Sequence, residues 1–116
     1  MNVMTVNVTF HVSDFKEAVV FCENVLGFRK KSQWHNYAVF DLCGMMLGLE
    51  SGGETGGKSG LPDTYLQVDN VDEVYRDLKG KGVEFLIEPQ DQSWSARKAK
   101  FVNMDRNVFI LVQLKK

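Results

Sequence analysis

Val12-Ser13-Asp14-Phe15-Lys16-Glu17 decides the fold, because it returns as Val68-Asp69-Asn70-Val71-Asp72-Glu73 at an offset of 56 positions. Each copy follows an alternating run that reads as a strand, and each opens a helix that ends near a glycine. Leu26-Gly27-Phe28 is echoed by Lys81-Gly82-Val83 at an offset of 55, one residue shorter. A repeat of this length in a short chain implies two copies of one supersecondary unit. A cleft between such copies is the natural place for a site.

Outward from the repeat, the first run has two faces of different kind. Val8, Phe10 and Val12 form an apolar face, and Asn7, Thr9 and His11 a polar one. The helix that follows carries Phe15, Ala18, Val19, Cys22 and Leu26 at helical spacing. Asp14 is expected to cap it, with Glu17 three residues on as in a capping box. Strands are expected at 28–32, 37–42 and 45–50, with Cys43-Gly44 as a tight hairpin turn.

The second copy starts over. Thr64, Leu66 and Val68 face one way; Asp63, Tyr65, Gln67 and Asp69 face the other. Its helix shows Val71, Val74 and Leu78 on one side, with Asn70 and Glu73 repeating the capping pair. Strands follow at 83–87, ended by Pro89, then at 98–103 and 108–113. The expected fold is α+β: two βαβββ modules, about 1–50 and 63–116, in a single domain of 116 residues. A glycine-rich connector, 51–62, joins them. Curled mixed, mainly antiparallel sheets would set the modules side by side as half-barrels around a groove. Strand parity then points Asn7, Thr9, His11, Asp63, Tyr65 and Gln67 toward a ligand, with Met46, Gly48 and Glu50 on the same face of their strand.

Composition narrows the function. Hydrophobic residues make up 44% and charged residues 25%, as in ordinary soluble proteins, and the net charge of −1 leaves no footprint for nucleic acid or an anionic membrane. Arg97-Lys98-Ala99-Lys100 is expected on an exposed strand face. MNVMTVNVTF does not read as a secretory signal, and no apolar run approaches the roughly 20 residues that span a bilayer. Cys22 on a helix face and Cys43 in a turn read as free thiols in a reducing compartment, hence a cytoplasmic protein. Gly52-Gly53-Glu54-Thr55-Gly56-Gly57-Lys58-Ser59 matches the phosphate-loop pattern letter for letter. Such a loop must open a helix, whereas Gly60-Leu61-Pro62 and a strand follow, so it is read as a connector.

The stretches VTFHVSDFKEAVVFCENVLGF, LQVDNVDEVYRDLKGKGVEFLIEP and FVNMDRNVFILVQ resemble the vicinal oxygen chelate superfamily, which includes glyoxalase I, extradiol dioxygenases, fosfomycin-resistance enzymes and bleomycin-binding proteins. The resemblance covers almost the whole chain and is specific for the fold, which hosts many chemistries. It implies metal ligands at four points, usually histidines and then glutamates. These fall on Asn7, Glu50, Asp63 and Ile110, and only Glu50 has the expected type. Glu50, Asp63 and Asn7 form an all-oxygen set, unsuited to a nitrogen-rich centre for Fe, Ni or Zn.

His11 shares the face of Asn7. Trp34, Tyr37, Tyr65 and Trp94 could wall a groove for planar ligands, and Met46 adds an adaptable contact. The resemblance makes Trp94 and Arg97 part of a loop closing over the groove, and the chain a homodimer. The leading expectation is binding of a small organic ligand, with no metal cofactor, as in the drug-sequestering branch; Glu50 and Asp63 suit a cationic or hydrogen-bonding one. The alternatives are a metal-dependent lyase, isomerase or dioxygenase using Glu50, Asp63 and Asn7 with His11 as base, and a protein-interaction module.

Overall fold

In the computed structural model, which describes residues 2–52, 63–93 and 95–115, each half of the repeat forms one four-stranded mixed sheet covered by one helix. Trp94 and most of the glycine-rich segment, with its phosphate-loop match, lie outside the described residues. The chain divides into two compact units, Met1–Gly56 and Gly57–Lys116. Among the described residues no helix is long and apolar enough to cross a membrane.

The first unit runs β1 (Asn7–Val12), α1 (Phe15–Val20) continued by a π-helical segment (Phe21–Val25), β2 (Arg29–Gln33), β3 (Tyr37–Leu42) and β4 (Met45–Ser51). Its strand order is β1-β4-β3-β2, with β1 parallel to β4 and the other pairs antiparallel. The core follows the alternation: Phe10, Val12, Ala38, Phe40, Leu47 and Leu49 are buried together with Ala18, Val19 and Cys22 of the helix. Asp14 caps α1, its Oδ1 accepting the Glu17 N–H at 3.0 Å.

The second unit runs β5 (Thr64–Gln67), α2 (Val71–Gly80), β6 (Glu84–Gln92), β7 (Ala96–Val102) and β8 (Val108–Leu114), in the order β5-β8-β7-β6 with β5 parallel to β8. Asn70 caps α2 through the Glu73 N–H at 3.1 Å. Val71, Leu78, Ala99, Leu111, Phe101 and Phe109 are buried, the last two rings stacked 5.1 Å apart.

Three details differ from expectation. The one-residue discrepancy in the repeat is absorbed inside the first helix. There Leu26 N–H reaches five residues back to the Phe21 carbonyl, and Phe28 N–H closes on Cys22; in α2 the matching bond, Val83 to Leu78, spans one residue fewer. Gly27 and Gly82 end the two helices at φ +73° and +88°, where a side chain would be strained. Second, Pro89 does not end its strand. β6 is an edge strand whose ladder shifts register between Ile87 and Gln90, so a residue without an N–H is tolerated there. Third, the basic run does not share one exposed face. Ala99 is fully buried, and Arg97 turns to the helix side of β7 while Lys98 and Lys100 take the other.

Arg97 thereby locks the start of α2 to the sheet. Its Nε and Nη2 donate to the two oxygens of Asp72 at 2.8 and 2.9 Å, and its Nη1 donates to Asp91 at 3.2 Å. Asp91 also meets Lys115 at 2.7 Å. The Arg97 hydrogen bonds hold the Asp72 carboxyl below the usual carboxylate range, and Lys115, then Arg97, do the same for Asp91.

A carboxyl with a lowered folded-state value contributes stability above its unfolded value, about 3.9, and that contribution disappears as pH falls through the folded value. Urea denaturation across this acid range should therefore show a shallower loss of stability in Asp72→Asn than in the natural chain; parallel profiles would remove Asp72 from the acid response. Burial pushes the Cys22 thiol up to about 12, whereas Cys43 is exposed. A thiol reagent should modify Cys43 rapidly in the native protein and reach Cys22 only on unfolding, with Cys43→Ser abolishing the fast phase.

Candidate functional site

Parallel pairing of β1 with β4 sets Asn7 beside Met46, Thr9 beside Gly48 and His11 beside Glu50. Antiparallel pairing of β3 with β4 sets Tyr37 beside Glu50 and Val39 beside Gly48. These residues share the face of the first sheet turned away from α1, because their neighbours Phe10, Leu47, Leu49 and Ala38 fill the core.

Tyr37 starts level with Glu50 yet its hydroxyl reaches back across β4 to β1. There Asn7 Nδ2 donates to Tyr37 Oη at 2.9 Å, and Thr9 Oγ1 donates to Asn7 Oδ1 at 2.8 Å. The Thr9 and Tyr37 hydroxyls lie 3.1 Å apart. Thr9 has one proton and has given it to Asn7, so Tyr37 donates to Thr9. The three side chains thus form a closed ring in which each donates once and accepts once, an arrangement in which the bonds polarise one another. The ring sits over the missing side chain of Gly48. A Cβ there would stand 2.5 Å from Tyr37 Oη, 2.6 Å from Thr9 Oγ1 and 3.0 Å from Asn7 Oδ1.

With the ring closed, Asn7 keeps one free N–H, while lone pairs remain on Asn7 Oδ1 and both hydroxyls. Beside it, His11 Nδ1 stands 3.6 Å from Glu50 Oε1, both side chains being part-exposed. Nδ1 itself is shielded from solvent and makes no hydrogen bond among the described residues. Trp34, 58% exposed, lies with its ring centre 6.1 Å from that of Tyr37. The face therefore offers an acceptor-rich polar patch with an aromatic edge.

Asn7, Thr9, His11, Met46 and Glu50 are thus gathered on one face of the first sheet. Tyr65 and Gln67 lie on the face of the second sheet turned away from α2, and Asp63 directly precedes β5. Arg97 is placed elsewhere, engaged with Asp72 on the helix side, and Trp94 lies outside the described residues. Tyr37, expected as a groove wall, and Gly48, expected on the same strand face, complete the polar site through a hydrogen-bonded ring that the sequence did not reveal. The signal for Gly48 was a lone glycine within Met45-Met46-Leu47-Gly48-Leu49, which marks a close approach over the strand.

The four points at which the resemblance implies metal ligands do not fit a nitrogen-rich centre. Ile110 is buried and has no donor atom, and Asn7 offers only a neutral amide oxygen that already accepts from Thr9. Among the described residues no three His, Cys, Asp or Glu side chains come together.

Comparison with known proteins follows the same lines. The family model for the Glyoxalase/Bleomycin resistance protein/Dioxygenase superfamily matches residues 6–110. Among solved structures, the chain is similar to a member of that superfamily from Sphaerobacter thermophilus DSM 20745, with 27% identity and a TM-score of 0.81 over 97% of this chain and 98% of that one. It shares its fold with TioX from Micromonospora sp. ML1, at 20% identity and a TM-score of 0.79 over 94% and 97% of the two chains. The same holds for the fosfomycin resistance protein FosX from Listeria monocytogenes, at 17% identity and 0.76 over 97% and 93%. No curated protein matches. A family match over nearly the whole chain, on two βαβββ units of the expected strand order, makes this protein a member of the glyoxalase/bleomycin resistance protein/dioxygenase superfamily.

Proposed function

We propose that the chain is a small-molecule-binding protein, acting without metal catalysis, whose ligand lies on the polar face of β1, β3 and β4. The observation that carries this reading is the Asn7–Thr9–Tyr37 ring over Gly48. A ring closed in the free protein is preorganised, so little ordering remains to oppose binding. Its spare capacity is mostly acceptor, as is the Glu50 carboxylate, so the favoured ligand presents hydrogen-bond donors: hydroxyls, amides or an amine. Trp34 supplies a flat surface for its apolar part. The part-exposed Glu50 carboxylate, beside His11, suits the same end of the patch to a cationic group. In this reading the protein is cytoplasmic, as its two free cysteines suggest, and a homodimer, as the family resemblance suggests.

A thermal-shift screen of amine- and hydroxyl-bearing aromatics, with amide chemical shifts to locate each hit, tests this directly. Hits should perturb residues 7–11 and 46–50. Gly48→Ala should stay folded, because strand propensity gained and exposed hydrogen bonds lost offset each other to within about 1 kcal/mol. Affinity for those hits should nevertheless fall about tenfold or more, the loss of one good polar contact. Undiminished binding in both Gly48→Ala and Glu50→Ala would move the site elsewhere.

Calorimetric titration of metal-stripped protein with Mn, Fe, Ni, Zn and Mg separates this reading from a metal-dependent lyase, isomerase or dioxygenase. The expected result is no tight binding. One-to-one binding lost in Glu50→Ala would instead establish the metal-dependent reading.

A further inference from the structure

The face of the second sheet turned away from α2 carries charge of the opposite sign, and it stands independently of the site on the first sheet. Lys98 and Lys100 alternate with buried Ala99 along β7, so both project from that face. In register, Lys100 is level with Ile110 and Tyr65, and Lys98 with Val112 and Gln67. Lys98 Nζ nevertheless sits 5.5 Å from the centre of the Tyr65 ring, one row away on β5. Since β8 lies between β7 and β5, the Lys98 stem must cross β8, and Ile110 and Val112 beneath it are only 2% and 7% exposed. The result is an apolar floor, an exposed tyrosine ring and two partly exposed lysines, their backbone positions roughly 7 Å apart by strand geometry.

Neither lysine has an ion-pair partner among the described residues, although Asp72, Asp77, Glu84, Glu88 and Asp91 of the same unit are all paired. Among the described residues Asp63, which directly precedes β5, makes no ion pair with either lysine. Two ammonium groups carried on one sheet face attract an oxyanion placed between them. The exposed ring of Tyr65 and the partly exposed Ile87, level with Lys100 on β6, extend the apolar surface around that position. We infer that this face binds an organic acid: a carboxylate or similar oxyanion held by Lys98 and Lys100, on a flat apolar body lying against Tyr65. A neutral molecule of the same shape would leave the two ammonium groups uncompensated, so discrimination rests on charge.

Titration of the full chain with 2-naphthoate, read by ligand fluorescence and by amide chemical shifts, tests the inference, with 2-naphthamide as the uncharged counterpart. Naphthoate should saturate one site, perturb residues 65, 98, 100, 110 and 112, and weaken as salt is raised. The amide should bind at least about tenfold more weakly, and Lys98→Gln and Lys100→Gln should each cost about tenfold, the scale of one charge-assisted hydrogen bond. The Lys98→Arg/Lys100→Arg double variant should retain binding, which separates lost charge from lost fold. Absence of saturable naphthoate binding, equal binding of the amide, or undiminished affinity in the double glutamine variant would each overturn it. Shifts confined to residues 7–11 and 46–50 would overturn it too, while leaving the first site standing.

Discussion

Parallel pairing between the first and last strand of each module is the constraint on which everything else rests. A hairpin would have placed β1 beside β2; the helix and two further strands intervene instead, so that β1 returns beside β4 and β5 beside β8. Because side chains alternate strictly along strands, that pairing brings the polar residues of one strand level with the small or polar residues of the other. Thr9 meets Gly48 and His11 meets Glu50 for this reason alone. The helix contributes by exclusion: it covers one face with Ala18, Val19 and Cys22, and leaves the opposite face to chemistry.

Much of this was legible in the sequence because alternation and capping are local. The faces of β1 and β5, the caps at Asp14 and Asn70, and the Cys43-Gly44 turn follow from neighbours a few positions apart. What escaped the sequence depends on partners far away in it. Arg97 looked like a groove residue, yet strand parity relative to β8 turned it toward Asp72 at the start of α2. Pro89 looked like a terminator, and would be one in a central strand; only the strand order shows that β6 lies at an edge. Tyr37 was visible as an aromatic, but its reach over β4 depends on Gly48, eleven positions on, lacking a side chain.

The two sheets, alike in topology, present different chemistry on corresponding faces. The first offers a hydrogen-bonded ring and a carboxylate; the second offers ammonium groups over an apolar floor. The strand order is the same in both, so the difference lies in the side chains carried on the faces turned away from the helices.

The π-helical turn at Phe21–Val25 has a bearing on how the halves diverged. An extra residue in an ordinary helix rotates everything beyond it by roughly 100° about the axis, since 3.6 residues make a turn. Leu26 would then leave its side of the helix and Gly27 would no longer aim the chain into β2. A single widened turn swallows the insertion, so both helix ends keep their alignment with the sheet. Length variation between the halves is therefore housed in the last turn of a helix, and the connections into the strands keep their geometry.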